Sequence, residues 1–232
     1  MTNYIIRCTI LAQSKGRRKI KMHKSVYSVL LSDELVSRLD EKAYENGVSR
    51  SVMLDRLLAD YLTIETVDMK MENALINMGK LIERYSGLRF TNLPSNSMAF
   101  VQSALLYKYN PTVKYSVELF PAGDLGQLKI SLRTTSATLF TLMEDFYKLF
   151  ISLEKKYIGE RKYGYSDNKF VRVMLRPEGI TPEKTGEAIA EYVAEFDKYL
   201  RTYFSHLSDP DKARSETERE YRKNIEKKEV IL

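Results

Sequence analysis

Cysteine, tryptophan and histidine are almost missing from this chain of 232 residues. Cys8 is the single cysteine, there is no tryptophan, and His23 and His206 are the two histidines. One cysteine excludes an internal disulfide and a cysteine-based structural zinc site; it fits a reducing compartment, so a cytoplasmic location is expected. Two histidines far apart in sequence leave no His-rich metal centre and supply little for histidine-based catalysis. No apolar run approaches the roughly 18 residues that span a bilayer. Met1–Leu11 carries Arg7 within it and no small-residue cleavage site follows, so neither a membrane span nor a secretory signal is expected. Glycine-rich phosphate loops and the Gly-x-Ser-x-Gly elbow are also missing. Acids such as Glu144 and Asp145 stand among Lys and Arg at helical spacing, which reads as a solvated helix face. The sequence therefore points to no catalytic residue, no metal and no cofactor. At 44% apolar and 29% charged residues, it does have the balance of a globular chain.

What is present is basic charge, unevenly placed. The net charge is +6, from 37 Lys+Arg and 31 Asp+Glu. Residues 1–24 hold Arg7, Lys15, Arg17, Arg18, Lys19, Lys21 and Lys24 and no acid, a local +7. The rest of the chain is therefore −1, and all the excess lies in an N-terminal arm, residues 1–23 with Lys24 at its end. Such an arm suits phosphate, because each neutralised phosphate releases counterions; the plain alternative is a solvated leader. Lys15–Lys24 lacks the interleaved apolar face of a membrane-surface helix.

The next segment, residues 24–63, has a compact local grammar. Lys24–Leu31 reads as a short strand rich in β-branched and aromatic residues. Ser32-Asp33-Glu34 signals a helix start, followed by Leu35, Val36, Leu39 and Ala43 on one face. Gly47 ends that helix. Ser49 caps the next, with Val48 and Met53 at the staple positions, and Val52, Met53, Leu54, Leu57, Leu58, Tyr61 and Leu62 give it an apolar side. One strand and two helices form too small a unit to bury a core alone, and a lone strand leaves its backbone unpaired. A second copy of the chain repairs both faults.

This segment resembles the ribbon-helix-helix superfamily of DNA-binding proteins, the MetJ/Arc type. The resemblance rests on Val29–Leu35, then Leu39, Ala43, Gly47, Ser49-Arg50-Ser51 and Leu57–Leu62. It implies a homodimer whose two strands form an antiparallel ribbon in the major groove of duplex DNA. Strand alternation then turns Tyr27, Val29 and Leu31 toward the helices, and Val26, Ser28 and Leu30, with Lys24 beside them, toward the bases. Only Ser28 of these is a neutral polar reader, whereas such ribbons usually offer Arg, Gln, Asn or Thr; the resemblance thus implies weaker base reading and a larger share for the arm and for DNA shape. The N-terminus of the second helix, Ser49, Arg50 and Ser51, is implied to hold a backbone phosphate, joined by Arg17, Arg18, Lys19 and Lys21 of the arm.

Residues 64–207 read as an α+β domain for oligomerisation or sensing. Asp68–Tyr85 has helical spacing. Leu88–Thr91 reads as a strand, Ser95–Tyr109 as a helix, Val113–Phe120 and Gln127–Thr134 as a hairpin, Ser136–Tyr157 as a long helix, Phe170–Leu175 as a strand, and a helix follows Thr181-Pro182-Glu183. Over 88–176 that order is β-α-β-β-α-β, the ferredoxin-like split, with a helix-rich α+β dimerisation domain as the alternative. The same order occurs behind ribbon-helix-helix units in nickel-responsive regulators, but this region has no His and no Cys to hold nickel. Arg161, Lys162, Tyr163 and Tyr165 stand in a loop mixing cations, tyrosines and glycines, a possible second nucleic-acid contact or simply an exposed loop covering the sheet edge. Residues 208–232 read as a charged tail, a frayed helix or disorder, with Glu218 and Arg222 at i, i+4 pairing distance.

The expectation is a DNA-binding homodimer, capable of pairing into a tetramer, that works as a transcriptional repressor. An accessory protein of a plasmid or mobile element, for partition or relaxosome assembly, is the second expectation. The third is a protein-interaction module that uses the ribbon only to dimerise. The C-terminal domain would take a protein partner or a small effector.

Overall fold

A computed structural model describes residues 28–166 and 169–232. The chain divides into two compact units, Met1–Thr66 and Val67–Leu232.

In the first unit, α1 (Asp33–Glu45) and α2 (Arg50–Tyr61) are joined by a tight turn. Gly47 takes φ +62°, the left-handed conformation that closes α1, and the Val48 N–H reaches back to the Ala43 carbonyl at 3.0 Å. Leu39, Ala43 and Met53 form a small buried cluster with Val48 and Leu54 against it. Val48 and Met53, on either side of the Ser49 cap, thus belong to one apolar cluster, in keeping with the staple pattern. The predicted strand at Lys24–Leu31 falls outside the described residues up to Tyr27, and Ser28–Leu31 are irregular. No strand precedes α1 among the described residues.

The second unit is mixed helix and sheet. After α3 (Val67–Ile82) the chain lays down β1 (Leu88–Ser95), β2 (Met98–Ala104), β3 (Thr112–Leu119) and β4 (Gly126–Leu132) as an antiparallel meander. Helix α4 (Ala137–Ile158) leads to the hairpin β5 (Tyr163–Ser166) and β6 (Lys169–Met174), and β6 returns to pair with β4. The six-stranded order is β1-β2-β3-β4-β6-β5, all antiparallel. Helices α5 (Pro182–Ser205) and α6 (Pro210–Ile225) complete it.

This overturns the ferredoxin-like order. Ser95–Tyr109 is not a helix; its centre is β2, with Ala99, Val101 and Ser103 turned into the core and Phe100 and Gln102 outward. The period is two, and ladders on both sides satisfy its backbone. The Pro94-Ser95 signal that resembled a helix start lies at the end of an edge strand, where a residue without an N–H is tolerated.

The core lies on one side of the sheet. Alternate residues Val113, Tyr115, Val117, Leu128, Ile130, Phe170 and Met174 are buried beneath the helices. α5 is the central helix, with Ile189, Val193, Phe196 and Leu200 fully covered. It approaches α3 closely at Gly186, where a Cβ would stand 2.3 Å from the Ala74 carbonyl oxygen, so glycine is required by space. Thr181 caps α5, accepting from the Lys184 N–H at 3.3 Å, with Pro182 in its first turn.

The C-terminal tail is a second correction. Residues 210–225 form α6, whose Ala213, Thr217 and Tyr221 are buried at four-residue spacing. Tyr221 packs on Tyr199, Tyr157 and Phe150, and Leu232 is buried as well. One alanine, one threonine and one tyrosine do not look apolar in sequence, yet they make a continuous seam. Glu218 pairs not with Arg222 but with α4, accepting from Lys156 Nζ at 2.6 Å and the Tyr157 hydroxyl at 2.8 Å.

Two buried polar clusters fix the helices to the sheet. Arg172, at an inward position of β6, meets Glu154 of α4 with Nε–Oε2 3.2 Å and Nη2–Oε1 3.0 Å, and both side chains have no solvent exposure. The hydroxyls of Tyr163 and Tyr192 also donate to Glu154, so both carboxylate oxygens are satisfied, as a buried charge requires. Asp197 of α5 accepts from the Tyr115 hydroxyl at 2.8 Å, from Ser103, and from Arg201 Nε at 2.6 Å.

Candidate nucleic-acid interface

The first unit holds the residues on which the DNA-binding expectation rests. Lys24, Val26 and the arm cations Arg17, Arg18, Lys19 and Lys21 lie outside the described residues. Ser28 and Leu30 are described and exposed; Leu30 is as open as an isolated residue, at 102%.

The junction before α2 is built as the sequence requires. Ser49 has extended backbone, φ −75° and ψ 156°, and its hydroxyl accepts from the Val52 N–H at 3.4 Å. The Ser51 hydroxyl lies 3.2 Å from it. As in any first turn, the N–H groups ahead of Val52 have no intrahelical acceptor, and with two hydroxyls and the positive dipole end beside them they suit an anion. Arg50 is placed differently. Its guanidinium forks onto Asp40 of α1, Nε–Oδ1 2.6 Å and Nη2–Oδ2 2.5 Å, which holds the Asp40 carboxyl below its ordinary value. The pair is exposed. A phosphate that recruits Arg50 has to compete with this carboxylate. The i to i+10 distance between them gave the sequence reading no signal.

The described part of this unit is acidic. Residues 28–66 hold Arg38, Lys42, Arg50 and Arg56 against eight Asp and Glu, a net −4. The described residues of this unit also leave most of their apolar groups in solvent: Val29, Leu30, Leu35, Leu57, Leu58, Tyr61 and Leu62 are all exposed, Leu58 at 51% and Tyr61 at 86%.

Of the second candidate contact, most groups are already engaged. Tyr163 begins β5, and its hydroxyl is spent on Glu154. Lys162 pairs with Asp124 at 3.0 Å. Arg161 Nη1 donates to the Glu160 carbonyl at 2.9 Å. Tyr165 remains half open, its ring 6.4 Å from that of Tyr147. The sequence displayed these groups in one run but not their division between core, ion pair and surface.

Among the described residues, no cluster of His, Cys, Asp and Glu is placed to hold a metal ion, and no helix is long and apolar enough to cross a membrane. No family model matches the chain, and neither a curated protein nor a solved structure matches it.

Proposed function

We propose that this chain is a ribbon-helix-helix DNA-binding protein that acts as a homodimer, most simply a transcriptional repressor working in the cytoplasm. The observation that carries the reading is the first unit's unfinished core. Two helices joined through Gly47 and a capped Ser49 bury a cluster of only three residues and leave Leu35, Leu57, Leu58 and Leu62 exposed. A second copy covers those groups and pairs the segment ahead of α1. DNA contact then falls to the basic arm, to Ser28 and Leu30 on the ribbon, and to the N-terminus of α2.

The test is fluorescence anisotropy of the full chain with labelled duplex from upstream of its own gene and with a shuffled duplex, across a salt series. The reading expects tighter binding to the upstream duplex and a steep salt dependence. Removing residues 1–24 is expected to flatten the log–log slope by ~0.9 for each phosphate that the arm neutralises. Equal, salt-insensitive binding to both duplexes contradicts it. The net −4 of residues 28–66 favours a second reading, a dimerisation device for a protein-binding C-terminal unit; that reading expects no salt-steep affinity for either duplex.

A further inference from the structure

The helices of the second unit cover one face of its sheet and leave the other to carry a row of cations. The register aligns Arg89 of β1, Gln102 of β2, Lys114 of β3, Ser131 of β4 and Lys169 of β6 side by side. These are the positions opposite to the buried set of each strand. Strands stand about 4.8 Å apart, so the row runs about 19 Å across the sheet with a cation at each end and one in the middle. No acid stands in this row. In the neighbouring row Lys129 lies beside Ser116, and Phe100 lies beneath Lys114, whose Nζ is 3.8 Å from the ring centroid. On this face Glu118 accepts from Lys129 at 2.8 Å. Among the described residues Arg89, Lys114 and Lys169 have no carboxylate partner. Residues 67–232 carry 26 Lys+Arg and 23 Asp+Glu, an excess of three.

We infer that this sheet face binds single-stranded nucleic acid through its phosphate backbone. Three cations in line and without acids match a polyanion laid across the strands. Val171 and Val173, half-buried on the same face, offer apolar surface between the cations, and Phe100 adds aromatic surface once Lys114 turns from its ring to a phosphate. Unstacked bases use such surface, and a duplex, whose bases are enclosed, does not. A second copy of the chain is a poor occupant, because a twofold contact of this face sets the cation row against itself. The inference does not rest on the ribbon-helix-helix reading, since none of these residues belongs to the first unit.

The experiment measures binding of the full chain to a labelled oligothymidylate by anisotropy over a potassium chloride series. A variant combining Arg89→Gln, Lys114→Gln and Lys169→Gln is expected to weaken binding at least tenfold and to reduce the log–log salt slope by about 2, at ~0.7 per phosphate contact on a single strand. Ser131→Lys, which puts a fourth cation into the row, is expected to tighten binding severalfold, a gain that a folding defect does not produce. A variant with Arg17, Arg18, Lys19 and Lys21 changed to Gln is expected to keep the sheet's share of oligothymidylate affinity while losing affinity for duplex, which separates this site from the arm. Unchanged affinity and slope in the triple variant overturn the proposal. So does a triple variant that weakens duplex as much as oligothymidylate, or a wild-type chain that binds poly-glutamate as tightly as the oligonucleotide.

Discussion

In the second unit α5 alone buries Ile189, Val193, Phe196 and Leu200 completely, whereas in the first unit α2 buries Met53 and Ala59 and leaves Leu57, Leu58 and Tyr61 in solvent. Both helices are amphipathic. The difference lies in what each finds to cover it. The second unit has 166 residues and supplies a sheet, three further helices and two satisfied buried carboxylates. The described residues of the first form two short helices, and burial at roughly 25 cal/mol per Å² leaves so small a cluster far short of the cost of ordering the chain. One unit is complete in a single chain; the other is proposed to gain its stability by association, and association is where its function is proposed to lie.

The largest effect that separates the units is expected at Glu154. Glu154→Ala leaves Arg172 charged and without exposure, and breaking such a pair costs about 3–5 kcal/mol. Thermal unfolding followed by tyrosine fluorescence should show the second unit's transition fall steeply. An unmoved transition would mean that the pair adds nothing to that core. Gly186→Ala comes next, because its Cβ must displace the Ala74 carbonyl and separate α3 from α5, a cost of about 1–3 kcal/mol of the overpacking kind.

The first unit should respond to a different substitution. Leu35→Asp with Leu58→Asp changes two exposed positions, so in an isolated chain it is nearly neutral. In a dimer that buries them it splits the assembly, and light scattering after gel filtration should then report 27.0 kDa in place of twice that mass. Ser49→Ala removes a cap and is expected to cost about 1 kcal/mol of α2 stability, read as reduced helicity. Asp40→Asn, the smallest effect, frees the Arg50 fork; stability should barely change while duplex affinity rises.

The units should also part at high pH. Tyr115 and Tyr192 lie in the second core, and burial first, then the neighbouring carboxylates Asp197 and Glu154, raises their ionisation well above the ordinary 10.0. The fold holds the neutral phenols, so their contribution is whole below pH 10 and declines above it, where the unfolded chain ionises first. Alkaline titration at the tyrosinate absorbance should therefore find the second unit opening cooperatively above pH 10.

How far the sequence could be read follows the same division. The helix ends were legible because they depend on neighbours: Ser49 and Thr181 accept from the N–H three residues on, and Gly47 takes a positive φ. The β3–β4 hairpin and α4 were legible from period and length. Met98–Ala104 was misread, because a short apolar run carries no decisive period and its identity as β2 depends on β1 and β3, neither of which is local. α6 reads in sequence as no more than a frayed helix or disorder, because its buried seam is Ala213, Thr217 and Tyr221, not leucines. Of the candidate interface, the Ser49 junction was visible and the Asp40–Arg50 fork was not. The cation row was hidden too, since Arg89, Lys114 and Lys169 are brought together only by strand register.

The most direct measurement of the central claim is sedimentation equilibrium of the full chain with and without its upstream duplex. The account predicts a dimer, twice 27.0 kDa, that binds one duplex as a dimer and reverts to monomer in the Leu35→Asp, Leu58→Asp variant with loss of DNA binding. A chain that stays monomeric at every concentration, or a variant that binds duplex as well as the parent, contradicts it.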